Sequence, residues 1–319
     1  MEILGSAKPL NQSTLQSFKT NFTIFKGFYM KNRGVIYCAT GNVLYLEATL
    51  ISAIVLRQIE PNIPITIISD HPLLKLFPLE KYEISARFIN LSEINDSGSF
   101  SSRDIKTSLS KFSPYQETLF LDADILPFKP ISDLWDYLDY GDMCMVVDLV
   151  PTLGLCAHIS EEEKNYTLQY LPESTTHFNS GVILWRNTTQ TQSLFELWNR
   201  EWLKFKKQDQ LALIRAINKA QFSVQSLPCI YNISPIDAIS RIENKSVKTL
   251  TEIHEMCQFK ALSMIKQSML KQKNDICLLH CLGGPIALGR FPEIVQKFYP
   301  NIVEQVVATG IFRKELPVN

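Results

Sequence analysis

Short apolar runs recur along this sequence, separated by segments whose apolar residues follow a helical spacing, and that alternation leaves few architectures open. Gly34-Val35-Ile36-Tyr37-Cys38 reads as a buried strand, as do Pro64 to Asp70 and Ile84 to Ile89. Thr118-Leu119-Phe120-Leu121 is a further strand, and Met143 to Val147 and Asn179 to Trp185 add two more. Tyr45 to Gln58, Asp104 to Lys111, Gln192 to Lys206 and Asp209 to Lys219 read as helices, with Ile105, Leu109 and Phe112 on one face of the second. Strands alternating with helices imply an α/β fold, an open and mostly parallel sheet with helices on both faces. In such sheets ligands sit beyond the carboxyl ends of the strands. Here the polar residues collect at those ends.

At 319 residues the chain can bury a sizeable core. Residues 1–33 are polar and without period and read as an N-terminal extension. Regular organisation runs over 34–290, closed by Leu278-Leu279-His280, and 291–319 reads as a mostly helical tail from Pro292 to Thr309. Lys plus Arg number 32 and Asp plus Glu number 32, so no net field draws nucleic acid to the chain. The seven cysteines are an odd count, and Cys38 and Cys144 lie inside apolar runs, where cysteine is a small core residue rather than a disulfide partner. The start lacks the layout of a secretory signal. No run of about 18 apolar residues offers a transmembrane segment. A cytoplasmic protein is the expectation, with attachment to a membrane surface and homo-oligomer formation left open.

The sharpest local signal is Leu121-Asp122-Ala123-Asp124, two carboxylates one residue apart directly after an apolar run. In extended backbone they share a face. Two converging anions repel each other unless a cation lies between them. Mn²⁺ or Mg²⁺ favours such oxygen ligands and leaves positions for phosphate oxygens. The plainer alternative is a turn, where Asp is common. Asp-x-Asp after an apolar strand also opens haloacid-dehalogenase-like phosphatases, in which the first Asp, here Asp122, is a nucleophile. That class carries the strand near the start of its domain, whereas Gly34 to Thr118 precede it here. Its downstream acidic pair is missing too, since Gly141-Asp142 is followed by Val146 where the second Asp would stand.

Several further motifs occur in order: Tyr37-Cys38-Ala39-Thr40-Gly41-Asn42, Arg103 with Lys106, Phe178-Asn179-Ser180-Gly181, Asp209-Gln210, and Leu279-His280-Cys281-Leu282-Gly283-Gly284. With the acidic pair they make the chain, over about Gly34 to Gly284, resemble the family 8 glycosyltransferases, which include glycogenin, bacterial lipopolysaccharide galactosyltransferases and plant galactinol synthases. The resemblance implies a GT-A-like fold, a nucleotide-sugar donor (a UDP-sugar), Mn²⁺ or Mg²⁺ as cofactor, and transfer of a hexose with retained configuration. The acceptor would be a carbohydrate, a lipid-linked sugar or a small polyol. A nucleotide-sugar-binding protein without turnover is the alternative.

By the same resemblance Asp122, Asp124 and His280 bind the metal. Thr40, Tyr45 and Asp70 stand by the nucleoside, while Arg103 and Lys106 approach the diphosphate. Asn179, Ser180 and Asp148 bind sugar hydroxyls, Asp209 and Gln210 face the anomeric carbon, and Gly283 offers backbone to the diphosphate. Each has a plainer reading: Tyr45 as a core residue, Lys106 as a solvated helix face, Asp209 as a helix cap, and His280 as a satisfied core histidine. A zinc reading of Cys277, His280 and Cys281 lacks a second ligand pair. The chain departs from the family at one position. A Lys that follows the His and binds the diphosphate is replaced by Ile286, and Arg290 is the candidate to supply the missing charge.

Overall fold

A computed structural model describes residues 32–90, 101–156, 160–243, 258–271, 275–282 and 284–312. The extension is therefore described only at its last two residues, and Arg33 already opens the first strand, β1 (Arg33–Ala39). Helix α1 (Val43–Ile59) follows, then β2 (Ile65–Ser69) and β3 (Ile84–Phe88). Two short helices, α2 (Ser101–Lys106) and α3 (Leu109–Phe112), lead into β4 (Glu117–Leu121) and β5 (Ile125–Pro127). Then come β6 (Met143–Thr152), α4 (Glu161–Leu168), β7 (Thr176–Arg186), α5 (Thr189–Trp202) and α6 (Asp209–Ala220). Strand β8 (Gln225–Leu227), helix α7 (Pro235–Glu243), a helix over Gln258–Leu270 and strand β9 (Leu278–His280) complete this part.

Seven strands form one sheet in the order β3-β2-β1-β4-β7-β6-β8, and β5 pairs with β9 apart from it. The sheet is mixed: β7 runs antiparallel to both β4 and β6, and the other neighbours are parallel. The two faces are read directly from residue parity. Val35, Tyr37, Leu119 and Leu121 go to the face covered by α1, whereas Ile36, Phe120, Ile183 and Trp185 go to the face covered by α5 and α6. Because both faces are buried, these strands read as continuous apolar runs rather than alternating ones.

Helix α1 is buried almost throughout from Val43 to Leu56, since the sheet lies on one side of it and C-terminal helices on the other. Its Asn42 cap accepts from Leu44 N at 2.9 Å, which sets the first turn of α1 just beyond the C-terminal end of β1. The 291–319 tail is not one helical stretch. It forms helices over Phe291–Gln296 and Pro300–Val307, broken where Pro300 has no N–H to give. Phe291, Ile294, Ile302 and Val306 pack into the same core as α1, and each such fully buried side chain contributes about 1.5–3 kcal/mol.

The expected helix over Asp104 to Lys111 is likewise divided. Thr107 Oγ1 donates to Asp104 O at 2.9 Å and Ser108 N turns to Ile105 O, so local bonds tighten and end the first helix. Its apolar face survives the break, with Ile105, Leu109 and Phe112 all buried.

Candidate active site

The C-terminal ends of β1 and β4, the N-terminal half of β7, the start of α6 and the end of β9 meet around a cleft of about 680 Å³. Asp122 and Asp124 do not share a face by strand alternation. They stand in a turn between β4 and β5, closed by Ile125 N to Asp122 O at 3.1 Å. Asp122 N donates to Gly181 O at 2.9 Å and Cys281 N to Asp124 O at 3.0 Å, so the turn is tied to both β7 and the segment after β9. Pairing of Ile125 with His280 brings the imidazole alongside. One ligand atom from each of Asp122, Asp124 and His280 lies within 4.8 Å of the others. Two carboxylates and an imidazole in such reach are a donor set that can hold a divalent metal ion.

The charges around them are few and close. Lys106 Nζ donates to both oxygens of Asp122 at 2.9 and 2.8 Å and lies 3.4 Å from Asp209 Oδ2. His280 Nε2 is 3.2 Å from Asp124 Oδ1. Burial pushes Asp122 above the usual carboxylate range against the pull of Lys106, and Asp124 adds to the rise. Burial works against the charged imidazole, yet Asp124 and Asp122 raise His280 above the ordinary histidine value. Asp209 is driven the other way. Burial would raise it, but Lys106 and a 2.7 Å hydrogen bond from Ser180 Oγ hold it below the usual range.

Other side chains named from the sequence fall into three groups. Thr40, Tyr45, Arg103, Lys106, Asn179 and Ser180 line the cleft, as do Asp209 and Gln210. Tyr45 is 40% exposed, so it is not the core residue of the plainer reading. Thr40 is buried and its Oγ1 has no hydrogen-bond partner among the described residues. Arg103 Nε lies 3.9 Å from Asp209 Oδ1.

A second group stands behind the cleft wall. Asp70 accepts from Gly41 N at 3.2 Å and so holds the turn after β1, where Gly41 has φ +79°. Asp148 does not line the cleft, and its carboxylate accepts from Asn179 Nδ2 (2.8 Å), Gln210 Nε2 (3.1 Å) and Val150 N (2.9 Å).

The third group is away from the site. Arg290 is not among the cleft-lining residues; it follows a tight turn, with Gly289 N on Ile286 O and Arg290 N on Pro285 O, and pairs with Glu293 at 3.5 Å. At the position of the missing Lys the cleft wall is the buried Ile286. Gly283 lies outside the described residues.

Asn232, which no motif flagged, puts its Oδ1 2.8 Å from His280 Nδ1. Gly181 has a different use from the expected approach to ligand: a Cβ there would lie 2.3 Å from His280 Cε1, so the glycine makes room for the ring. The zinc alternative has no cluster among the described residues, since Cys277 donates its thiol to Pro130 O. The six described cysteines are free thiols. Among the described residues no helix is long and apolar enough to cross a membrane.

Residues 105–259 match the model of glycosyl transferase family 8. That segment, just under half of the chain, contains Lys106, both aspartates of the pair, Asp148, the Asn179-Ser180 motif and Asp209-Gln210, while His280 lies beyond it. No curated protein matches the sequence. Among solved structures the chain is similar to the galactosyltransferase LgtC in complex with donor and acceptor sugar analogues. The TM-score is 0.55 at 14% identity, covering 86% of this chain and 95% of that one. It is similar to the bifunctional glycosyltransferase WbbM, with a TM-score of 0.54 at 17% identity over 88% of this chain and 52% of that one. It is also similar to the glycosyltransferase GlyE of Streptococcus pneumoniae, with a TM-score of 0.50 at 14% identity over 88% and 64% of the two chains. At these identities the likeness establishes the fold, which is GT-A. The sequence match adds the chemistry: the chain is a glycosyltransferase that resembles family 8.

Proposed function

We propose that the chain transfers a hexose from a UDP-sugar to a hydroxyl acceptor with retention of configuration, using Mn²⁺ or Mg²⁺ held by Asp122, Asp124 and His280. The observation that carries this reading is the meeting of those three side chains in one cleft with Lys106 and Asp209. A bound divalent ion would supply Lewis-acid stabilisation of the departing diphosphate. Lys106 and Arg103 add positive charge on the same side of the cleft. The Tyr45 ring and the Thr40 hydroxyl suit a nucleoside, the first by stacking and the second by hydrogen bonding.

At the sugar, Gln210 has a fixed orientation. Its Nε2 donates to Asp148 Oδ2 and to Phe178 O, which leaves Oε1 as the atom presented to the cleft. A carbonyl oxygen there balances part of the positive charge that develops at the anomeric carbon as the diphosphate leaves. An amide is a poor nucleophile, so attack by the acceptor on the face vacated by the leaving group accounts for retention without a glycosyl-enzyme bond. Asp209, kept ionised by Lys106 and Ser180, adds a full negative charge near that centre. Asp148 acts through Asn179 and Gln210 rather than by touching the sugar.

The test is a screen of UDP-sugars with and without MnCl₂, following sugar release and heat of binding. Metal-dependent turnover is expected, and Asp124→Asn should lower it at least about 10³-fold, about 4 kcal/mol. Turnover that survives EDTA would overturn the reading, and phosphomonoester hydrolysis through Asp122 would revive the phosphatase alternative. A second reading has one observation in its favour, the apolar Ile286 on the cleft wall. It predicts donor binding with no release of sugar at any metal concentration.

A further inference from the structure

Four polar side chains from four separate stretches of chain form one continuous line beside the acidic pair: Asp148, Asn179, Asn232 and His280. Asp148 Oδ2 accepts from Asn179 Nδ2 at 2.8 Å, Asn179 Oδ1 accepts from Asn232 Nδ2 at 2.9 Å, and Asn232 Oδ1 stands 2.8 Å from His280 Nδ1. The direction of this line is set at its far end. An ionised carboxylate can only accept, so Asn179 must give its amide nitrogen to Asp148 and turn its oxygen to Asn232. The backbone N–H of Gly181, 2.9 Å from Asn179 Oδ1, demands the same orientation. Asn232 must then face Asn179 with its nitrogen and His280 with its oxygen. Only a proton on Nδ1 satisfies that oxygen.

The backbone around Asn232 is equally fixed. Its N–H goes to Cys229 O, while Ile233 N donates to Leu278 O and His280 N donates to Ile233 O, which pins this segment beside β9. With Nδ1 committed to Asn232, Nε2 is the ring nitrogen that faces Asp124. A histidine ligand is oriented by the hydrogen bond its other nitrogen makes.

We propose that Asn232 is a positioning residue of the metal centre, holding the His280 proton on Nδ1 and so aiming Nε2 at the site shared with Asp122 and Asp124. The inference rests on the metal reading of those three side chains. Mn²⁺ binding to the full chain, followed by electron paramagnetic resonance of the free ion, should weaken about 10–100-fold in Asn232→Ala. Asn232→Asp keeps an acceptor for the Nδ1 proton and should recover much of that loss. Wild-type affinity in Asn232→Ala, or equal weakness in both variants, would overturn the assignment.

If the wild-type chain binds no Mn²⁺, the metal reading and this inference fall together. If it binds and Asn232→Ala binds as well, the inference falls alone. Nitrogen NMR of histidine-labelled wild-type protein needs no variant that must fold, apart from His280→Asn to assign the signal. Nδ1 should carry a proton both without metal and with MgCl₂, and a bare Nδ1 in either condition would reject the proposal.

Discussion

Helix α6 holds a buried ion at each of two levels, Asp209 in its first turn and Arg215 further along, and the two are partnered in opposite ways. Arg215 is 2% exposed and fully engaged. Its guanidinium donates to Glu201 Oε2 (3.1 Å), Thr167 Oγ1 (2.9 Å), Glu163 Oε1 (2.9 Å) and Glu201 O (3.0 Å), and the Tyr166 and Phe205 rings lie alongside. Around Asp209, Lys106 lies on both Asp209 and Asp122, His280 lies on Asp124, and Arg103 stands at the margin. The first cluster is complete within the protein. The second sets three carboxylates against Lys106, Arg103 and His280 and opens into a cleft, where the divalent ion proposed above would complete it.

Cutting the closed cluster should give the largest effect. Arg215→Ala leaves Glu163 buried without its cation and Glu201 with Lys204 and Lys219 alone, a loss of about 3–5 kcal/mol. Urea denaturation would measure it, and MnCl₂ should stabilise this variant by no more than it stabilises the wild-type chain. A loss below about 1 kcal/mol would mean that the two clusters do not differ as described. The effect also reaches the site, because Glu163 Oε2 accepts Gln208 N (3.3 Å) at the start of α6, just before Asp209 and Gln210.

The open cluster should respond differently. Lys106→Met leaves Asp122 and Asp209 without the ammonium that now bridges them, and about 1–3 kcal/mol of stability should go in metal-free buffer. Here MnCl₂ should restore more than it adds to the wild-type chain, since an ion that binds only the folded state stabilises it by linkage and takes up the charge that Lys106 balanced. Equal increments of melting temperature in variant and wild type would break the comparison from this side.

Much of this was legible in the sequence, and the remainder has a common cause. The strand runs, the Asp122-Asp124 pair and the Asn179-Ser180 and Asp209-Gln210 motifs are local patterns, and the cleft gathers them, though the pair stands in a turn rather than on extended backbone. Asn232 carried no signal, because its partners Asn179 and His280 come from distant stretches that only the folded chain brings to it. Arg290 is not among the residues that line the cleft, since nearness in sequence to Ile286 does not fix where the turn through Gly289 carries the chain. The closed cluster was invisible for the same reason as Asn232: nothing in the spacing of Glu163, Glu201 and Arg215 says that they meet. The helix expected over Asp104 to Lys111 failed at Thr107, a hydroxyl side chain competing for its own backbone.

The smallest effect expected is in the pH dependence of the closed cluster, where its two carboxylates should pull in opposite directions. Burial pushes Glu201 up, but hydrogen bonds from Lys219, Lys204 and Arg215 outweigh it and leave its pKa below the usual range. Its contribution is therefore present above the unfolded pKa of about 4.3 and is lost as the pH falls through the folded value. Glu163 is the reverse. Burial raises it despite Arg215, so its ionised form costs stability as the pH rises from about 4.3 through its folded value. Urea midpoints against pH should thus fall less steeply on acidification in Glu201→Gln than in wild type. In Glu163→Gln they should fall more steeply, because the opposing slope is gone. Parallel profiles in all three chains would show that the cluster is neutral to protons, and the distinction between a closed and an open set of charges would then rest on geometry alone.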